Sequence, residues 1–126
     1  LGRLGDEYGY EVPDIEPLAI EFPNLTTNTQ RDLIKWNVWI ETSTPLPTPW
    51  DDWRYWDLVG LFEGANYSST GWYRPKYDCL MRTTFSVLIF CEVCQEALVL
   101  AIYDRVRPGE NFLPAATNLT LTRNGL

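Results

Sequence analysis

The chain has 126 residues, with 17 acidic and 10 basic side chains and a formal net charge of −7 at pH 7. This length predicts a single domain, and the acidity argues against nucleic-acid binding through a basic face. The sequence contains no His, which excludes Ser-His-Asp and Cys-His catalysis and His-ligated zinc within these residues. Chemistry in this chain must therefore use carboxylates, thiols or groups supplied from elsewhere.

Local patterns in the first half predict mostly loops. Residues 1–8 are interpreted as the tail of a helix, and residues 9–30, with three prolines, as an extended loop. Residues 30–39 have near-helical apolar spacing and a capping residue before them, so they are predicted to form a short helix. Residues 43–52 have prolines at alternate positions and are predicted to form an extended surface loop.

The second half contains the clearest predicted helix. Residues 53–62 are expected to be a buried turn or short strand, and residues 64–75 to be rich in turns. Residues 92–107 lack Gly and Pro and carry a broad apolar stripe, which predicts a helix. Residues 108–126 are predicted to be a loose tail rich in Pro, Asn and Thr. The longest apolar runs are too short to span a bilayer.

Three Asn-x-Ser/Thr sequons occur in the chain. They begin at Asn24, Asn66 and Asn118, where we expect N-glycosylation. Their number favours a secreted, extracellular protein.

Four groups of residues resemble, in order and spacing, one known family. They are LGDEY at 4–8; NLTTN at 24–28 with KWNVWI at 35–40 and TPLPTP at 44–49; VGLFEGANY at 59–67 with YRPKYDCLMR at 73–82; and FCEVC at 90–94. They are similar to the C-terminal part of the catalytic domain of the IgA-protease-type zinc metallopeptidases, the sixty-fourth metallopeptidase family of HExxH zincins. The resemblance covers residues 1–107. It implies an α+β fold, here the lower part of a zincin or metzincin-like catalytic domain made mainly of helix and loop.

The resemblance implies a zinc-dependent endopeptidase, in which metal-activated water hydrolyses a protein or peptide substrate. The zinc motif of the family is similar to HExGHxxGxxxDEY, and Gly2 and Asp6-Glu7-Tyr8 match its end. We therefore expect the two His ligands and the general-base Glu upstream of Leu1. The isolated chain is expected to be inactive. The substrate and the oligomeric state are left open.

The same resemblance implies roles for five residues. Asp6 is the preferred third zinc ligand and Glu7 the alternative; a third hypothesis makes both of them supporting or helix-end groups. Tyr8 is a candidate for orienting a ligand or a bound carbonyl, and Glu63 for a role in the substrate cleft or around the metal ligands. Met81 is the only methionine and resembles the Met-turn residue that underlies zinc, where a soft thioether packs well.

The chain has three cysteines, Cys79, Cys91 and Cys94. In a secreted protein we expect a disulfide from Cys79 to Cys91 or Cys94. A redox pair of Cys91 and Cys94 is one alternative. A zinc site with three thiolates, whose fourth ligand is not identified by the sequence, is another.

A second hypothesis for the function belongs to a different class. The chain would be a non-catalytic, secreted derivative of the same scaffold that binds proteins or glycans, for example as a decoy. The absent HExxH motif and the acidic, Trp-rich sequence suit this alternative.

Overall fold

The computed structural model describes residues 3–16, 18–83 and 89–106. Within them lie two strands, β1 (Phe62–Ala65) and β2 (Ser68–Arg74), the helix α1 (Glu92–Val106), and 3₁₀ turns at Arg31–Leu33, Asn37–Trp39 and Trp53–Tyr55. One helix with one antiparallel pair of strands is consistent with the α+β class. The predicted tail at 108–126 lies outside the described residues. In the described ranges, no helix is long and apolar enough to cross a membrane.

Strands β1 and β2 form a hairpin, where the sequence predicted a segment rich in turns over 64–75. They pair antiparallel, with Ala65 opposite Ser68. The two residues between them, Asn66 and Tyr67, have φ values of 56° and 59°. Positive φ at both central residues is the type I′ geometry that matches the twist of paired strands. The prediction for 64–75 was wrong because the turn lacks the glycine that usually marks such hairpins.

The predicted helix at 30–39 was also wrong. Two 3₁₀ turns replace it. They are separated by residues 34–36, and the backbone of Ile34 is extended at φ −81° and ψ 126°. Ile34 and Trp36 are both buried, and side chains two residues apart do not share one face of a helix. Burial of both side chains therefore requires the chain to leave the helical conformation between them.

Residues 4–8 are extended rather than the tail of a helix, and Arg3 before them lies in a turn with φ 53°. The backbone N–H groups of Asn66 and Tyr67 donate to the carbonyls of Asp6 and Tyr8, each at 2.8 Å. On the other side, the N–H of Glu7 donates to the carbonyl of Met81 at 3.0 Å. The segment therefore runs between the hairpin turn and residue 81.

The core joins the middle of the chain to the start of α1. Its buried members are Ile34, Trp36, Ile40, Val59, Leu61, Cys79, Cys91, Val93 and Cys94. The loop at 43–52 is free of helix and strand, as predicted. Thr48 attaches it to this core, because its N–H donates to the carbonyl of Leu61 at 2.7 Å and its Oγ1 accepts the N–H of Leu61 at 2.9 Å.

Helix α1 occupies the predicted position, but only its first turn is buried. Val93 and Cys94 are its buried residues, whereas Leu100 and Tyr103 are about three-fifths exposed, at 61% and 60%. The contacts of α1 with the rest of the chain are therefore concentrated at its N-terminal end.

Candidate metal-binding sites

Neighbouring carboxylates in the extended segment face opposite directions. From Gly5 to Tyr10, buried residues alternate with more exposed ones, as side chains do along an extended chain. Glu7 is completely buried, whereas Asp6 is half-buried and lines an open pocket. The two residues that the sequence proposed as alternatives thus belong to two different sites.

The open pocket has a volume of about 570 Å³. Its lining includes Asp6, Tyr8, Tyr10, Tyr67, Met81 and Arg82. Three of the residues selected from the sequence, Asp6, Tyr8 and Met81, are therefore brought together here.

Hydrogen bonds hold the carboxylate of Asp6 in place. The hydroxyl of Tyr67 donates to its Oδ2 at 2.5 Å, and the N–H of Tyr8 donates to its Oδ1 at 2.9 Å. The hydrogen bond to Asp6 also raises the pKa of Tyr67 above its ordinary value. A carboxylate has about four lone-pair sites, so acceptor capacity remains on Asp6. Sequence reasoning missed Tyr67, whose only signal is its place in the VGLFEGANY string.

Met81 lies on a tight turn beside Asp6. The N–H groups of Arg82 and Thr83 both donate to the carbonyl of Cys79, at 2.8 and 3.0 Å. The Met81 side chain is half-buried and packs against the core, while also lining the pocket. A thioether adapts well to such a boundary between core and pocket.

Glu63 lies away from the lining of this pocket. It is exposed, and its carboxylate accepts the N–H of Gly71 at 3.0 Å. It lines a different pocket, together with Arg74 and Trp50. The structure therefore does not bring Glu63 to Asp6.

A second group of donor atoms is buried on the other side of the extended segment. A carboxylate oxygen of Glu7 and the sulfurs of Cys79, Cys91 and Cys94 all lie within 4.8 Å of one another. The thiol of Cys94 donates to Glu7 Oε2 at 3.3 Å, across 87 residues of sequence. The N–H of Cys91 donates to the sulfur of Cys79 at 3.1 Å. We call these four residues the Glu7–cysteine cluster.

Burial and hydrogen bonds within the cluster shift the pKa values of its four side chains in different directions. Burial raises the pKa of Glu7 to about 8. Hydrogen bonds from Cys91 and Cys94 lower the pKa of Cys79 to about 3, and the bond to Cys79 raises that of Cys91 to about 12. The pKa of Cys94 is raised for the same reason. Cys79 is therefore the most acidic thiol of the cluster.

The predicted disulfide is not supported. All three cysteines are free thiols, and the sulfurs of Cys79 and Cys94 are 3.8 Å apart, whereas a disulfide needs about 2.05 Å. The sequence also suggested a zinc site with three thiolates, for which it identified no fourth ligand. The structure places Glu7 beside the three cysteines as a candidate for that ligand.

Asn24 supports the cluster and does not offer a free amide for a glycan. It is fully buried; its Oδ1 accepts the N–H of Gly5 at 2.7 Å, and its Nδ2 donates to the Gly5 carbonyl at 2.8 Å and to Glu7 Oε2 at 2.9 Å.

Asn66 is also buried, and its Nδ2 donates to the carbonyl of Leu18 at 2.8 Å. A glycan on either side chain would displace these bonds, so glycosylation there is not supported. Asn118 lies outside the described residues.

Replacing Asn24 by Ala is expected to lower the free energy of unfolding by about 3 kcal/mol. Three buried hydrogen bonds are lost, each worth about 1 kcal/mol, and their partners stay buried. Urea denaturation followed by Trp fluorescence measures the change. Asn28 is exposed, so Asn28→Ala is the matched control and should change stability by less than about 0.5 kcal/mol. Equal effects of the two variants would contradict the supporting role of Asn24.

Carboxylate and thiol donors converge at the Glu7–cysteine cluster, which marks the chain as a candidate metal-binding protein. Comparison with known families specifies the class further. Residues 55–102 match the family model described as IgA Peptidase M64. This match confirms the resemblance to that family over these residues, is consistent with a fragment of such a protein, and supports a metallopeptidase kind of function. A search of curated proteins gave no match.

Proposed function

We propose that this chain is the C-terminal part of the catalytic domain of a zinc-dependent endopeptidase with a zincin-like fold, and that Asp6 binds its catalytic zinc. One observation carries the proposal: the carboxylate of Asp6 lines an open pocket beside Met81 on its turn. The family resemblance implied a ligand and a Met-turn residue at these two positions. Asp6 is therefore preferred over Glu7, which is buried among thiols.

The pocket can supply one protein ligand to such a zinc site, the carboxylate of Asp6. Asp6 offers a hydrogen-bonded carboxylate with unused acceptor capacity. The sequence has no His, so the His ligands of the family motif must come from outside these residues. When bound, zinc would supply a Lewis acid and an activated water for hydrolysis of a peptide bond.

The chain's own residues would position the metal and the substrate. Tyr67 would keep the Asp6 carboxylate in one orientation, and Met81 would pack beneath the ligand set. Tyr8 and Tyr10 would form the wall against which a peptide lies. Residues 1–126 alone should be inactive, because neither the His ligands nor the general base is present.

The first test is to read the coding sequence upstream of Leu1 in frame. The expected result is an HExxH motif whose second His lies two residues before Leu1. An upstream frame without the two histidines would overturn the proposal. A start codon joined directly to Leu1 would give that result and favour the non-catalytic binding protein.

The second test uses the extended protein and the variant Asp6→Asn. Loss of a supporting residue around a metal ligand costs roughly 10–100-fold, so loss of the ligand itself should lower zinc retention and peptide hydrolysis at least about 100-fold. Asp32 is exposed on a 3₁₀ turn, and Asp32→Asn is the matched control that should keep both. Full activity of Asp6→Asn would contradict the assignment.

Secretion stays a prediction of the sequence. The buried amides of Asn24 and Asn66 lend it no support, and the third sequon, at Asn118, lies outside the described residues. Immunodetection of the full-length product in the culture medium, rather than in the cells, would test it.

A further inference from the structure

The Glu7–cysteine cluster is a closed site, separate from the open pocket at Asp6. All four residues are buried, with exposed fractions from 0% to 5%. They come from three parts of the chain: the extended segment, the turn that carries Met81, and the first turn of α1 with the residue before it. The proposed peptidase function makes no use of the three thiols.

The spacing of the donor atoms suits a tetrahedral metal ion. Two sulfurs that are each about 2.3 Å from one tetrahedral zinc lie about 3.8 Å apart. The sulfurs of Cys79 and Cys94 are 3.8 Å apart, and the sulfur of Cys94 is 3.3 Å from Glu7 Oε2. The whole set lies within 4.8 Å, so only small side-chain shifts would bring every donor to one ion.

A second observation points to a missing ligand in this cluster. Glu7 Oε1 is buried and has no hydrogen-bond partner, and the other such side-chain atom among the described residues is Arg82 Nε. An unsatisfied buried carboxyl oxygen carries an energetic cost. A cation held between Glu7 and the sulfurs would satisfy the carboxylate and remove this cost.

We propose that Glu7, Cys79, Cys91 and Cys94 bind one structural Zn²⁺ ion. Three thiolates select a soft or borderline metal over Ca²⁺ and Mg²⁺, and the hard carboxylate favours Zn²⁺ over Cu(I). Four protein ligands leave no open position for water, so this zinc is structural and not catalytic. The guanidinium of Arg74, which acts electrostatically on Glu7, offsets part of the remaining negative charge.

The zinc would fasten α1 to the rest of the domain. Only Val93 and Cys94 of this helix are buried, so few apolar contacts hold it. Ligands at Cys91 and Cys94 would connect its N-terminal end to Glu7 and to the turn at Cys79. Binding to a site that exists only in the folded chain stabilises that fold.

The test is a metal analysis of the full 126-residue chain, purified reduced and with Zn²⁺ present. The expected result is one zinc per chain by elemental mass spectrometry, and a melting temperature that falls on chelation. Replacement by Co²⁺ should give the visible bands of a tetrahedral site with strong thiolate charge transfer. This spectrum is measured on the unmodified chain, so it does not depend on whether variants fold.

Variants then assign the ligands. Glu7→Gln and Cys94→Ser should each weaken zinc binding at least about 100-fold, more than loss of a supporting residue would. Asp6→Asn is the matched control, because it alters the adjacent carboxylate on the opposite side of the segment, and it should leave this zinc in place. The same variant tests the open pocket in the extended protein, so failures of the two proposals are distinguishable.

Three results would overturn the inference. The first is absence of zinc from the reduced chain, with no thiolate bands from Co²⁺. The second is a disulfide between Cys79 and Cys94 in the native chain, detected by mass spectrometry. The third is loss of zinc in Asp6→Asn equal to that in Glu7→Gln, which would place the metal in the open pocket.

Discussion

Replacing Arg74 by Met is expected to lower the free energy of unfolding by about 4 kcal/mol. Arg74 is 3% exposed, and its guanidinium donates to the backbone carbonyls of Glu63, Gly64, Lys76 and Tyr77 at 2.7 to 3.2 Å. Met leaves these four carbonyls, which are buried or part-buried, without this donor, at about 1 kcal/mol each. Burial lowers the pKa of Arg74 only to about 10, so the side chain is charged at neutral pH.

Urea denaturation at neutral pH, followed by Trp fluorescence, measures this effect. Arg54→Met is the matched control, since the exposed Arg54 pairs with Asp52 at the surface, where such pairs contribute less than about 1 kcal/mol. Arg74→Lys retains the charge but not the planar set of donors, so its stability should lie between those of the wild type and Arg74→Met. Similar stabilities of Arg74→Met and Arg54→Met would contradict this account.

Replacing Trp36 by Ala is expected to cost about 3–5 kcal/mol of stability, the usual range for truncating a large buried aromatic side chain. Trp36 is 1% exposed, and its Nε1–H donates to the carbonyl of Gly60 at 2.8 Å. It therefore joins the segment at 31–40 to the chain that leads into β1. Thermal denaturation followed by circular dichroism measures the loss.

Two further Trp variants separate burial from hydrogen bonding. Trp36→Phe keeps most of the apolar volume and should recover more than half of the lost stability. Trp53 is 73% exposed, and Trp53→Ala should change stability by less than about 0.5 kcal/mol. If Trp36→Phe were as unstable as Trp36→Ala, the hydrogen bond to Gly60 and not the packing would dominate.

The sequence alone predicted the features that depend on local chemistry or on specific strings. The helix that became α1 follows from a run without Gly or Pro, and the loop at 43–52 from its prolines. The resemblance carried by the strings through residues 59–82 and 90–94 is confirmed by the family match over 55–102. Asp6 was selected from the string at 4–8 and Met81 from the string at 73–82, and the structure brings both to one pocket.

The hairpin and the two 3₁₀ turns within 30–39 depend on contacts between residues that are distant in the sequence. The turn at Asn66 and Tyr67 has no glycine, yet its backbone also pairs with the extended segment at residues 6–8. Ile34 and Trp36 leave the helical conformation because both are buried in the core. In each case, long-range packing and pairing outweighed the local preference.

The separation of Asp6 from Glu7 was decided only by the tertiary structure. The sequence could rank them as alternatives for one metal, because neighbouring carboxylates look equivalent along the chain. Backbone bonds from Glu7 to Met81 and from Asn66 to Asp6 set which side of the extended segment faces the core. The cysteine partners of Glu7 begin 72 residues later, at Cys79, and local spacing carries no information about such a distant contact.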